Sequence, residues 1–165
     1  ALFAKYEEMI AKDPSNFALA YNYAVELYNK NYGNDSKGDD ASKEKLTTVL
    51  KNAIANDQGI DATVLMANHT YNMASDAVTA ASMVKGTKPE DVKKKADLKA
   101  VSNKKMDDCI VYSDLVAKYY DGKTDLKPKQ VANYKIVLGY LSDIYNLKGD
   151  AKKSAEYDKK RTAIK

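Results

Sequence analysis

With 165 residues, 44% apolar and 30% charged, the chain is ordinary for one soluble globular domain that buries its own core. Seven Gly and three Pro, against abundant Ala, Lys, Asp and Tyr, favour helix over sheet. The single Cys excludes an internal disulfide, and no apolar run reaches the roughly 18 residues of a membrane span.

The net charge of +4 is spread unevenly. Residues 85–105 hold 8 Lys against 3 acids, residues 148–165 come to +4, and residues 1–84 come to −4. Nucleic-acid faces usually add clustered Arg and interleaved aromatics. Arg161 is the only arginine, so the basic segments read as solvated helix faces and no nucleic-acid partner is expected.

Hydrophobic spacings of 3 and 4 run through the whole chain and predict helices only. Residues 1–12, with Leu2, Tyr6, Met9 and Ile10, form an amphipathic helix ended by Asp13-Pro14. A second helix covers 15–32, with Ser15 or Asn16 as N-cap and Gly33 beyond its end. The stretch GNDSKGDDAS is a polar loop. A third helix over 43–56 rests on Leu46, Leu50, Ala53 and Ile54 and stops near Gly59. The fourth, about 61–84, is rich in Ala and Met. Pro89 suits the first turn of a long fifth helix reaching about Tyr120. After DGKTDLKP a sixth helix runs over about 128–147, and KGD turns into a seventh over 150–164. The pattern is a series of antiparallel helix hairpins.

Three of these helices share one spacing, x2, adjacent, x2, with a small residue at the third place. It appears as Ala20, Tyr23, Ala24, Leu27, then as Val64, Ala67, Asn68, Tyr71, and again as Leu138, Leu141, Ser142, Tyr145. A small residue at the third place lets a neighbouring helix approach closely, while the large ones fill the groove between paired helices. This grammar resembles the first helix of the tetratricopeptide repeat, W-x2-L-G-x2-Y. Leu2, Tyr6 and Met9, and again Leu46, Leu50 and Ala53, stand where that family places the anchors of its second helix. No repeat carries the family's Trp. The anchors at 20, 64 and 138 are spaced more widely than the family's period of about 34, which makes the middle hairpin an enlarged one.

The resemblance implies an all-α fold, a right-handed superhelix of about seven helices forming one domain over 1–165. Residues 1–12 would be a second helix whose first helix lies upstream, so that the chain is the C-terminal part of a longer protein. It also implies a concave groove, lined by the first helices, that binds a peptide or protein. Carried onto this sequence, the groove comprises Tyr21, Asn22, Val25, Tyr28, Asn29, Leu65, Met66, His69, Asn72, Met73, Tyr140, Asp143 and Asn146. Tyr offers a large contact at low entropy cost, Asn pairs with peptide backbone and Met adapts. The Lys and Arg needed to clamp a C-terminal carboxylate are missing from these faces. The alternative is a structural C-terminal cap, favoured by the polar, Lys-rich last helix, that binds nothing.

No catalytic or cofactor chemistry is expected. One His excludes a His-based metal cluster, and His69 lies in mid-helix without a flanking nucleophile motif. Cys109 is spaced with Met106 and Val116 as a core residue. NDSKGDDASKEK lacks the ligand order of a calcium loop, with Lys45 where the closing Glu belongs. Asp107 and Asp108 are adjacent on a helix and point apart. Little Arg, Gly or Pro beside much Lys, Asn and Tyr fits a low-GC bacterial source. Envelope and cytoplasm both remain open, as does the oligomeric state.

Overall fold

Asn16 starts the helix Phe17–Tyr32 by accepting a hydrogen bond on its side-chain oxygen from the Leu19 amide at 3.1 Å. In the computed structural model, which describes residues 2–33 and 37–164, seven helices follow one another and no strand occurs among the described residues. They are α1 (Leu2–Lys12), α2 (Phe17–Tyr32), α3 (Asp40–Asn56), α4 (Asp61–Met83), α5 (Pro89–Tyr120), α6 (Pro128–Leu147) and α7 (Ala151–Ala163). The all-helical expectation and the element order hold. The start of α3 moves forward from 43 to Asp40, because Asp39 accepts from the Ser42 amide at 2.7 Å and acts as the cap. Part of the expected GNDSKGDDAS loop, residues 34–36, lies outside the described residues.

The chain divides into two compact units, Ala1–Met66 and Ala67–Lys165, with the division inside α4. In the first unit α2 packs on α3 and α1 packs on α2. Ala20, Ala24 and Ala53 are at most 1% exposed, and their small side chains let Leu27, Leu46 and Leu50 close the core between α2 and α3. α1 has no buried residue of its own. It is held through Tyr23 of α2, whose ring is stacked on Tyr6 at 5.1 Å and tilted against Phe3 at 5.7 Å. The Tyr23 hydroxyl donates to Glu7 Oε1 at 2.9 Å, and Lys45 of α3 pairs with the same oxygen at 2.7 Å. Asp57 then shapes the entry to α4, accepting from the Gly59 amide at 2.7 Å and the Ala62 amide at 3.1 Å.

In the second unit α6 is the central helix, packed against α5 and α7. Val137, Leu138, Leu141 and Ile144 are at most 1% exposed, and Ile144 joins Ala74, Met106 and Cys109 in the core. Asp121, just past α5, accepts from the Tyr134 hydroxyl at 3.0 Å and from Lys160 at 3.1 Å, so one carboxylate ties α6 and α7 to the end of α5. Gly149, at φ 81°, makes the left-handed turn into α7. There the Asp150 amide donates to the Tyr145 carbonyl at 2.8 Å. α7 also buries no residue fully. It docks by the Ser142 hydroxyl donating to the Ser154 carbonyl at 3.0 Å, and by Tyr145 stacked on Tyr157 at 5.7 Å.

Candidate functional site

The expected groove residues of α2 stand on the side of the helix away from its buried Ala20, Tyr23, Ala24, Leu27 and Asn31. Asn22 and Asn29 are exposed, and Tyr21, Val25 and Tyr28 are half-buried. Aromatic rings four residues apart make two pairs on this helix: Phe17 stacked on Tyr21 at 5.4 Å, and Tyr28 tilted on Tyr32 at 4.9 Å. Burial, then the nearby carboxylates of Asp61 and Asp57, raise the pKa of the Tyr21 hydroxyl.

On α4, Leu65, Asn72 and Met73 are half-buried, but Met66 and His69 are 0% exposed. Both were expected on an open surface and are interior instead. The reason is that α4 is packed nearly all round over its first half, where Ala62, Thr63, Val64, Met66, Ala67, His69 and Thr70 are all buried.

On α6, Asp143 and Asn146 are exposed and Tyr140 is half-buried. Tyr140 and Asp143 are brought together with two α4 residues read earlier only as repeat anchors. The Tyr140 ring lies on the Tyr71 ring at 4.0 Å, and its hydroxyl donates to Asn68 Oδ1 at 3.0 Å. The Tyr71 hydroxyl donates back to Asp143 Oδ2 at 2.9 Å. The one signal of this in the sequence was Asn68, a polar residue at the small position. Burial and the bond to Asp143 push the Tyr71 hydroxyl up to about 12, and burial and the bond to Asp121 push Tyr134 to about 12.

Both phenols therefore hold their protons more tightly folded than unfolded. The stability this gives is complete below the ordinary tyrosine pKa of 10.0 and is lost as pH rises towards about 12. Thermal midpoints are expected to drop across that window, and less so in a Tyr71→Phe, Tyr134→Phe variant. A drop as large in the variant as in the wild type would contradict a part for these two phenols.

Beside the crossed tyrosines opens a cleft of about 580 Å³, lined by Lys135, Ile136, Gly139, Tyr140, Asp143 and, from the end of α7, Arg161, Thr162 and Ile164. Gly139 is helical, and a Cβ there would come within 3.3 Å of Arg161 Nη1. The absent side chain makes room for the chain's only guanidinium, which also donates to Asp158 at 2.7 Å. Such a cleft offers donors, a carboxylate, an aromatic edge and an aliphatic side chain to a non-covalent ligand.

The thiol of Cys109 is fully buried, 3.6 Å from Ser113 Oγ, and burial pushes its pKa up to about 11, so it is a packed core group. Asp107 pairs with Lys148 at 2.7 Å and Asp108 with Lys104 at 3.8 Å, in separate directions. Among the described residues no group of three or more His, Cys, Asp or Glu could hold a metal ion, and no helix is long and apolar enough to cross a membrane. No family model, no curated protein and no solved structure matches the chain.

Proposed function

We propose that the chain is a tetratricopeptide-like helical array that works as a protein-interaction scaffold, binding a peptide or protein without chemistry of its own. The observation that carries this reading is the cleft on α6, where Ile136, Tyr140 and Asp143 stand beside Lys135 and Arg161. Tyr and Arg are the side chains most often dominant in binding energy. The crossed bonds from Asn68 and Tyr71 hold Tyr140 and Asp143 in place, so less side-chain entropy is lost when a partner binds. The asparagines and half-buried tyrosines of α2 form a second, uncharged polar and aromatic face, in the other unit.

A structural cap is the second reading, and α7 favours it. It buries no residue fully and carries Lys152, Lys153, Lys159, Lys160 and Arg161, the wet outer face that a terminal repeat needs.

Selection from a random-peptide display library, followed by NMR mapping of the selected peptide, separates the two. The scaffold reading expects shifts at Ile136, Tyr140 and Asp143. It also expects affinity to fall roughly tenfold or more in an Ile136→Ser, Arg161→Ala variant. Selected peptides that bind this variant as well as the parent, or no selected peptide at all, would favour the cap.

A further inference from the structure

A groove of about 260 Å³ opens between α4, α5 and the end of α6, wholly within the second unit. Its apolar walls are Val78 and Ala81 of α4, Met106 of α5 and Leu147 of α6. Leu147 is 53% exposed, a large apolar side chain left in water. Two serines of the lining add little polarity. The Ser82 and Ser102 hydroxyls already donate to the Thr79 and Lys99 carbonyls, at 2.8 and 2.9 Å. The charged groups of the lining are Lys95 and Lys99, one turn apart on α5, and no carboxylate lines the groove among the described residues. Asp107, beside Met106, is held by Lys148 at 2.7 Å. Along α5 the groove therefore runs from a cationic end at Lys95 and Lys99, past the Asn103 amide, to an apolar end at Met106.

We propose that this groove binds an amphiphilic carboxylate, a medium-chain fatty acid, with its head at Lys95 and Lys99 and its tail along Ala81, Val78, Met106 and Leu147. Charge complementarity selects the head. Two ammonium groups with no carboxylate between them attract an anion, and each offers three donors to its oxygens. The apolar walls select the tail, because a wholly polar anion would leave Val78 and Leu147 against water. Size sets its length. At the roughly 30 Å³ that a water occupies in the liquid, the groove takes about eight or nine heavy atoms. From Lys99 to Met106 the helix rises about 10 Å, which suits such a chain laid lengthwise. No residue of the α6 cleft takes part, so the site stands whether or not that cleft binds a peptide.

Titration calorimetry on the whole chain tests this, with hexanoate, octanoate, decanoate and dodecanoate below micelle formation. Affinity is expected to rise roughly two- to fourfold for each methylene that enters the groove, and to level off near decanoate. Octanol has the octanoate tail without the charge, and is expected to bind roughly tenfold more weakly. A Lys95→Gln, Lys99→Gln variant is expected to lose that tenfold for octanoate and to bind octanol as the parent does. Ala81→Leu fills the groove from a half-buried position with both lysines in place, and is expected to abolish binding of both compounds. Leu147→Ser, at an exposed position, is expected to weaken both alike. Circular dichroism checks that each variant is folded. Octanol bound as tightly as octanoate overturns the proposal, as does an affinity that ignores chain length. So does full binding to the folded Leu147→Ser or Ala81→Leu variant, or a parent that binds none of the four carboxylates saturably.

Discussion

Replacing Tyr23 with alanine is expected to destabilise the first unit by about 3–5 kcal/mol, the range for removing a large aromatic from a core. Tyr23 is 1% exposed and is the meeting point of α1 with the rest of its unit. Its ring lies between Phe3 and Tyr6, and its hydroxyl reaches Glu7. Since α1 has no fully buried residue, the substitution removes both the ring contacts and the hydroxyl bond to Glu7, and leaves the Glu7–Lys45 pair. The exposed Glu7–Lys45 pair cannot hold the helix alone. Urea unfolding followed by circular dichroism gives the cost. Limited proteolysis is expected to cut α1 first in the variant. Tyr23→Phe keeps the ring and is expected to lose only about 1 kcal/mol, the share of one hydrogen bond. Equal costs for the two variants would place the stabilisation in the hydroxyl instead.

Leu141→Ala is expected to cost about 2–5 kcal/mol, a large part of the 5–15 kcal/mol that holds a typical domain folded. Leu141 is 0% exposed in the central helix of the second unit. Its removal leaves a cavity that a helix flanked by α5 and α7 cannot easily collapse. Leu147, on the same helix but 53% exposed, is the control: Leu147→Ala is expected to stay within about 0.5 kcal/mol. Denaturant midpoints for the two variants make the comparison. Similar losses would mean that the α6 register, and with it the burial pattern, is wrong.

The helices were legible because each is bounded by local chemistry. Pro89 and Pro128 stand at the first positions of α5 and α6, Asn16 caps α2, and Gly149 turns the chain out of α6. The start of α3 was missed by three residues because Asp39, Asp40 and Ser42 all suit a cap. Only the bond between Asp39 and Ser42 decides among them. The surface was harder. Spacing identifies the packed face of a helix but is silent on whether the opposite face is packed too, and this is how Met66 and His69 were placed outside. The crossed pairing of Tyr71 and Tyr140 was invisible for another reason. It depends on which helices sit side by side, and the sequence lists residues along a line.

That crossed pair has a kinetic meaning. Its two hydrogen bonds each join residues 72 apart, and the intervening chain contains the whole of α5. The bond of Tyr134 to Asp121 spans 13 residues, and that of Ser142 to Ser154 spans 12. Closing a short loop costs less chain entropy than closing a long one, so α5 with α6 and α6 with α7 can dock early and locally. The stacked tyrosines are then expected to form late, on the native side of the folding barrier. Interactions made after the barrier slow unfolding while leaving the folding rate nearly unchanged. The tyrosine pair is therefore expected to act as a latch: Tyr71→Phe should speed unfolding of the second unit and leave its folding rate nearly unchanged, which stopped-flow kinetics checks.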